Sequence, residues 1–169
     1  AALREKMDIP VFHDDQHVTA IVVAAAIVNG LKVVGKDLAS IKLVTSGAGA
    51  AAIACLNLLV SMGLPRANIT VTDLHGVLYE GRAQDMEPQR AVYAQKTDAR
   101  TLGEVNAGAD VFLGVSAPGV LKPEMVAAMA DRPLIMALAN PTPEIMPEEA
   151  RAARPDALIC TGRTDYPNQ

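Results

Sequence analysis

Short, mostly apolar runs recur along the chain, and a helix-like segment separates each run from the next. The runs are too short for typical helices and are rich in β-branched residues, so they predict strands. They are apolar throughout rather than alternating, which is typical of parallel strands that are covered on both faces. The predicted strands are residues 41–45, 69–72, 111–115, 134–138 and 157–160.

The segments between these strands predict helices, and two of them begin at a proline, Pro123 and Pro147, which suits the first turn of a helix. The predicted helices are residues 19–34, 50–62, 88–96, 101–107, 123–130 and 147–153, and the polar residues 73–88 predict a loop. Strands that alternate with helices predict an α/β fold. We therefore expect a doubly wound, mostly parallel sheet of the Rossmann type with helices on both faces.

Composition limits the kind of protein that this sequence encodes. The 169 residues suffice for one domain, and 50% of them are hydrophobic. The net charge is −4 and the basic residues form no run, which argues against nucleic-acid binding. The longest apolar stretch, residues 20–28, has nine residues, whereas a membrane span needs about 20. Cys55 and Cys160 lie in apolar patterns, so we expect buried thiols in a reducing, cytoplasmic compartment.

A glycine-rich turn follows the first predicted strand and opens the next predicted helix. Its sequence, Gly47-Ala48-Gly49-Ala50-Ala51-Ala52, matches the dinucleotide-binding pattern G-x-G-x-x-G/A in the strand–helix context that this pattern needs. Gly47 allows the tight turn, Gly49 leaves room for a pyrophosphate, and the helix N-terminus offers N–H groups to phosphate. The turn predicts an NAD or NADP site, and a structural turn that binds nothing is the alternative.

Asp73 ends the second predicted strand, where this fold places an acid against the ribose hydroxyls of the cofactor. A carboxylate at that point repels the 2′-phosphate of NADP and favours NAD. His75 and Arg82 lie nearby in the sequence and would offset that repulsion. The sequence therefore leaves the choice between NAD and NADP open.

The acidic segment His13-Asp14-Asp15-Gln16-His17 precedes the first long helix. One interpretation is that the two acids cap this helix, because carboxylates accept its free N–H groups and favour its dipole. The other is that they bind Mg²⁺ or Mn²⁺, which prefer carboxylate oxygens. Adjacent residues rarely face one point, so one acid would bind the metal while the other orients or caps. No cysteine or third histidine completes a zinc site around the two histidines.

Polar residues also follow the later predicted strands, and ligands of open α/β sheets bind beyond such strand ends. Asn140 lies at one of these ends, and Pro141 after it favours an extended backbone; a turn-forming asparagine is the alternative. Ser116 lies at the end of the preceding strand and is expected to line the cofactor groove. Arg163 follows the last strand and is expected to meet a carboxylate, a phosphate or a surface ion-pair partner.

Taken together, these segments resemble the bacterial short-type malic enzymes. The resemblance rests on PVFHDDQH at residues 10–17, the turn at 47–51, ALANP at 137–141 and TGRTDYPNQ at 161–169. Their order and spacing match along essentially the whole chain. The resemblance covers the nucleotide-binding domain alone, so we expect residues 1–169 to be the NAD(P)-binding domain of a longer protein, with the substrate domain upstream.

The resemblance implies the oxidative decarboxylation of malate to pyruvate and CO₂, with NAD or NADP taking the hydride and Mg²⁺ or Mn²⁺ polarising the substrate. It makes Asp15 a metal ligand that also contacts the cofactor, with Asp14 in support. It brings Asn140 to both cofactor and substrate, and it implies a homo-oligomer. It assigns the cofactor phosphates to Gly47, Ala48, Gly49, Ala50 and Ala51.

Two residues depart from the family pattern, since Val18 and Ala52 stand where glycine is frequent. The family's proton-transfer residues, a tyrosine and a lysine, and its Glu-Asp metal pair are expected upstream of Ala1, and an asparagine pair after Gln169. We therefore assign no catalytic acid or base within this chain, and we expect the isolated chain to be inactive.

Two other interpretations stay open from the sequence. The chain is alternatively the cofactor domain of another NAD(P)-dependent dehydrogenase, of an amino-acid or shikimate type, although the acidic segment at residues 13–16 has no reason to occur there. It is alternatively a non-catalytic module that senses NAD(P) and regulates a partner. Malate-dependent reduction of the cofactor by the full-length protein distinguishes the three.

Overall fold

The computed structural model describes residues 5–169, except for the side chain of Asp15. Its strands are β1 (Leu43–Ser46), β2 (Ile69–Asp73), β3 (Gly76–Val77), β4 (Val111–Gly114), β5 (Leu134–Ala137) and β6 (Leu158–Thr161). They form one sheet in the order β3-β2-β1-β4-β5-β6. Every neighbouring pair is parallel except β2 and β3, which pair antiparallel at one edge. This is the doubly wound order that the sequence predicts, so the fold class is confirmed.

Helices cover both faces of this sheet. They are α1 (Asp14–Val34), α2 (Ala50–Ser61), α3 (Pro88–Ala91), α4 (Leu102–Asn106), α5 (Pro123–Ala127) and α6 (Pro147–Ala153), with a 3₁₀ turn at Arg66–Asn68. Alternate residues of a strand face opposite sides. Leu113 of β4 belongs to the core shared with α1 and α2, whereas its neighbour Phe112 belongs to the core shared with α4, α5 and α6. The mostly apolar strands therefore form two cores, one on each face.

Helix α1 contributes an apolar stripe to the first core. Val23, Ala24, Ile27 and Leu31 are buried at the spacing of one helical face. By length and composition alone, residues 16–34 would suffice to cross a membrane, with a mean hydropathy of 1.9. In this fold one side of the helix packs along α2 and against β5, while Ile21 and Val22 on it are exposed.

The start of α1 differs from the prediction, because the helix begins at Asp14 rather than at residue 19. The N-cap is His13, and the rings of Phe12 and His17 stack across it with centroids 5.1 Å apart. A contact between the residue before the N-cap and the fourth helical residue fixes the entry of a helix. Apolar periodicity detects the part of a helix that faces the core, so it missed this exposed first turn.

The prediction of a continuous loop at residues 73–88 is wrong at β3. A two-residue strand is too short to show periodicity, and Gly76 adopts a φ of +92° there. A Cβ atom on Gly76 would lie 2.0 Å from the carbonyl oxygen of Arg100, so this edge needs glycine. The helices predicted at 88–96 and 123–130 are also shorter, ending at Ala91 and Ala127.

The two cysteines are free thiols within the apolar layers. Cys55 on α2 is fully buried and Cys160 on β6 is half-buried. Burial raises the pKa of both thiols to about 11, because the charged thiolate loses its hydration. This agrees with the sequence-based expectation of buried thiols.

Arg154 ties the chain after α6 to the end of α5. Its guanidinium donates hydrogen bonds to the carbonyl oxygens of Met129 (2.7 Å) and Ala130 (3.1 Å). It also makes two bonds of 2.9 Å to Asp156, whose carboxylate accepts the N–H of Arg132 at 2.7 Å. These hydrogen bonds hold the pKa of Asp156 well below its usual range.

We expect Asp156→Asn to lower the thermal midpoint at neutral pH, and this loss to shrink in acid. The folded carboxylate has the lower pKa, so its contribution is complete above the unfolded pKa of about 3.9 and fades as pH falls through and below that value. Circular-dichroism melts between neutral and acidic pH test this, with the exposed Asp98→Asn as the matched control. A midpoint difference that is independent of pH would contradict the ion-pair account.

Candidate functional site

A groove of about 580 Å³ opens at the carboxyl ends of β1, β2 and β4. The order of the strands reverses between β1 and β4, and open α/β sheets bind their ligands at that point. The groove is lined by the glycine turn and by the ends of the strands, including Gly47, Ala48, Gly49, Asp73, Ser116 and Ala117. Of the predicted turn residues, Ala50 and Ala51 lie in the first turn of α2 behind this lining.

Gly47 makes the tight turn between β1 and α2. Its φ is +113°, a conformation that favours glycine, and its N–H donates to the carbonyl oxygen of Thr72 at 2.8 Å. A Cβ atom on Gly47 would lie 2.6 Å from the carbonyl oxygen of Val115, which follows β4. The turn therefore depends on glycine for both its backbone angle and its close approach to the neighbouring strand.

Gly49 differs from Gly47, because its backbone is ordinary and its surroundings are open. It is the N-cap of α2 with a φ of −76°, and a Cβ atom there would meet nothing within 4 Å. No side chain caps the helix and no acid lies in its first turn. The positive end of the α2 dipole thus meets the groove with its N–H groups available, which fits a pyrophosphate.

Asp73 lines the groove at the end of β2, and protein groups occupy both of its oxygens. Oδ2 accepts from Nη2 of Arg82 at 2.6 Å, and Oδ1 accepts from the backbone N–H of His75 at 2.8 Å. The Arg82 side chain is 3% exposed and also donates to the carbonyl oxygens of Gly76, Val77 and Gln84. Arg82 therefore balances the charge of Asp73 from inside the protein, not from the groove.

Two further charged residues of the groove were not predicted. Asp85 accepts Nε2 of His75 at 3.1 Å, and Arg90 lines the same part of the groove and donates to the carbonyl oxygen of Asp85 at 3.2 Å. Neither residue has a signal in the sequence, because residues 73–88 form an irregular polar segment and Arg90 is one residue of a predicted polar helix.

Asn140 lies beyond β5, where its side chain is exposed and outside the lining of the groove. Its peptide bond to Pro141 is cis. The carbonyl oxygen of Pro141 accepts Nη1 of Arg163 at 2.8 Å, and the same guanidinium pairs with Asp165. Arg163 thus meets a surface carboxylate, one of its predicted partners, and a role of Asn140 toward cofactor or substrate stays a prediction.

The acidic segment forms the first turn of α1. Asp14 is exposed at the first helical position, and the N-cap is His13, which makes no side-chain cap hydrogen bond. The N-cap residue is therefore not one of the acids. Both acids lie in the first turn of the helix, where a favourable effect on its dipole stays a prediction. The side chain of Asp15 is outside the described residues. Among those that are described, no three His, Cys, Asp or Glu side chains come together around a metal position.

Glu144 is a site-forming residue that sequence reasoning missed. It is fully buried beneath the ends of β4 and β5, where its carboxylate accepts the N–H groups of Ser116 at 2.9 Å and Ala139 at 3.0 Å. A lone glutamate after two prolines gives no sequence signal for burial, because acids in loops are usually exposed.

A family model for the NAD-binding domain of malic enzyme matches residues 17–165. The chain belongs to the malic enzyme family. The resemblance seen in the acidic and C-terminal segments is thereby confirmed, and the cofactor domain of an unrelated dehydrogenase is excluded.

Malic enzymes of several organisms match the chain along almost its whole length. It is 68% identical to an NAD-dependent malic enzyme of Rhizobium meliloti (strain 1021) and 60% identical to an NADP-dependent malic enzyme of Escherichia coli (strain K12), with 99% of this chain covered in each case. The chain spans 22% of the length of each of these two proteins. The crystal structure of Entamoeba histolytica malic enzyme superposes with a TM-score of 0.91 at 38% identity, covering 99% of this chain and 36% of that one.

We expect Gly49→Val to abolish binding of NAD and NADH while the domain stays folded. The valine side chain would extend into the open groove and take the space of the pyrophosphate without meeting protein atoms. Calorimetry with NADH, together with a thermal melt, tests both halves of this expectation. Unchanged affinity would remove the glycine turn from the cofactor site.

Gly47→Ala is the matched contrast, because here the damage is to the fold. The positive φ and the approach to Val115 predict a loss of about 1–3 kcal/mol in the free energy of unfolding. A denaturant titration measures it. A variant as stable as the wild type would contradict the strained geometry of the turn.

We expect Asp73→Ser to raise the affinity for NADP relative to NAD by about tenfold, since it removes a like charge and leaves the Arg82 guanidinium uncompensated. Calorimetry with both cofactors measures the ratio, and Asp85→Ser is the control for a charge lost elsewhere in the groove. An unchanged ratio, or an equal change in the control, shows that Asp73 is not the discriminating residue.

Proposed function

We propose that the intact protein containing this chain is an NAD(P)-dependent malic enzyme, to which residues 1–169 supply the cofactor domain. The observation that carries the proposal is the open N-terminus of α2 behind Gly49, in a chain that the malic enzyme NAD-binding model matches over residues 17–165. The Rhizobium meliloti relative is named as NAD-dependent and the Escherichia coli relative as NADP-dependent, which supports both cofactors as candidates.

In the proposed reaction, bound NAD(P) would supply the acceptor for the hydride from C2 of malate, and the hydroxyl proton would pass to a base that we assign to no residue of this chain. The oxidised substrate would then lose CO₂ to give pyruvate. The residues of this chain bind and orient the cofactor. The backbone of Gly47, Ala48 and Gly49 faces the pyrophosphate, with the N–H groups of Ala50 and Ala51 behind it. Asp73, held by Arg82 and the His75 N–H, would accept hydrogen bonds from the adenosine ribose.

We further propose that Asp15 is one ligand of Mg²⁺ or Mn²⁺, with Asp14 in support, and that Asn140 contacts cofactor and substrate. The resemblance of residues 13–17 to the family pattern supports the metal assignment, and the position of Asn140 after β5 supports the other. One protein carboxylate leaves a hard cation mostly solvated, so such a site needs further ligands. No step above depends on a metal held by this chain.

The intact protein is also proposed to be a cytoplasmic homo-oligomer that acts on malate as a small-molecule substrate. The exposed apolar side chains of α1 support a covered face in the assembled protein. Ile21 is 61% exposed and Val22 is 54% exposed, although both lie on the longest helix of the described chain.

We expect the isolated chain to bind NAD(P) but to form no NAD(P)H from malate and Mn²⁺, whereas the intact protein does. The chain holds no assigned acid or base, and each such group contributes about 10²–10⁴-fold to the rate. Turnover by the isolated chain would contradict the assignment of the catalytic acid and base to the rest of the intact protein. Cofactor binding without malate turnover by the intact protein would favour the nucleotide-sensing alternative.

In the intact enzyme, Asp15→Asn is expected to reduce activity by more than about 100-fold, and Asp14→Asn by about tenfold, as for a metal ligand and its supporting group. Calorimetry should still detect NADH binding by both variants, because the glycine turn at residues 47–51 is unchanged in them. Titration of activity with Mn²⁺ separates a metal defect from a folding defect. A full-rate Asp15→Asn enzyme would remove Asp15 from the metal site.

A further inference from the structure

Glu144 joins the ends of two strands beneath the cofactor groove. Its Oε1 accepts the N–H of Ser116 at 2.9 Å, just beyond β4, and lies 3.4 Å from the Ser116 hydroxyl. Its Oε2 accepts the N–H of Ala139 at 3.0 Å, just beyond β5. One carboxylate therefore sets the distance between the two segments that leave these strands.

This arrangement is unusual because the carboxylate is fully buried and makes no ion pair with a described Lys, Arg or His. Burial of a charge is unfavourable unless hydrogen bonds replace its hydration, which the two N–H groups do here. The neighbouring strand also leaves room for it, because a Cβ atom on Gly114 would lie 2.4 Å from Cδ of Glu144. The sequence thus reserves a space without a side chain for this carboxylate.

The hydrogen bonds continue from Glu144 to the floor of the groove. The hydroxyl of Ser116 lies 2.8 Å from that of Ser46, the last residue of β1 before the glycine turn. Both serines line the groove. Glu144 is therefore connected to the ends of β1, β4 and β5 through side-chain and backbone hydrogen bonds.

The groove has two halves, since this fold consists of two mononucleotide-binding units. The glycine turn and Asp73 lie on the β1–β2 side, which takes the adenosine diphosphate part of the cofactor. Ser116 and Ala117 lie on the β4 side, which is left for the nicotinamide part. The contacts of Glu144 lie on this second side.

We propose that Glu144 is a positioning residue for the nicotinamide half of the cofactor. It acts through the backbone of Ser116 and Ala139, and holds the ends of β4 and β5 in the arrangement that receives the nicotinamide ribose and ring. The inference rests on the proposed cofactor site and adds a residue outside the glycine turn to it.

The test compares the binding of NADH with that of ADP, which contains the adenosine and pyrophosphate parts alone. We expect Glu144→Gln to weaken NADH binding by about tenfold, because the amide cannot accept from both buried N–H groups. ADP binding should change by less than about twofold, since its contacts lie on the β1–β2 side. Calorimetry on the full chain measures both, and Glu124→Gln, an exposed acid on α5, is the matched control for charge.

A second variant displaces the same carboxylate without changing Glu144 itself. Gly114→Ala places a methyl group against Cδ of Glu144 and must displace the carboxylate, so the same selective loss of NADH binding is expected. If circular dichroism shows that Glu144→Gln does not fold, the comparison of NADH and ADP binding is made with Gly114→Ala alone. A selective loss of NADH binding in every variant that folds supports the proposal.

Three results would overturn the inference, and they are distinguishable. Equal losses for NADH and ADP make Glu144 a support of the whole domain rather than of one half. Wild-type affinity for NADH in a folded variant removes it from the site. Failure of the wild-type chain to bind either ligand refutes the proposed cofactor function itself, and this inference with it.

Discussion

The close contact between the turn after β1 and the end of β4 determines the shape of the whole site. Gly47 approaches the carbonyl oxygen of Val115 so closely that no side chain fits between them. This contact holds the start of α2 at the point where the strand order reverses, so the N-terminus of the helix meets the groove. Gly49 then leaves that terminus open. Gly47 thus fixes the position of the N-terminus of α2, and Gly49 keeps that terminus accessible from the groove.

Most of this fold could be predicted because its determinants are local or periodic. Strands with apolar residues on both sides, such as Val111–Gly114, signal burial between two helical layers. The pattern failed where structure depends on single contacts rather than on a repeated pattern of apolar residues. Gly76 belongs to a strand because it passes close to the backbone of Arg100. Helix α1 begins after His13, where the rings of Phe12 and His17 stack. Neither relation has a periodic signature.

For the candidate site, the sequence identified residues that line the groove, such as Asp73, but not the groups that hold them. Asp73 could be placed from its position at the end of β2, while the salt bridge to buried Arg82 depends on how an irregular segment folds back. Glu144 was missed for the same reason, since its partners at Ser116 and Ala139 come from two other loops. The sequence pattern locates strand ends and therefore the residues that line the groove. The positions of the residues that support them depend on how the loops pack, which the pattern does not show.

The electrostatics of the groove follow a consistent arrangement. At the proposed pyrophosphate position the protein offers the positive end of the α2 dipole, with no acid in the first turn of that helix. At the end of β2, the proposed ribose position, it offers the carboxylate of Asp73, whose charge Arg82 balances from the protein interior. An acid that is balanced in this way can accept hydroxyl hydrogen bonds while repelling a nearby phosphate less than a bare carboxylate would. This accounts physically for how one scaffold can serve a family whose members are named for NAD in one case and for NADP in another.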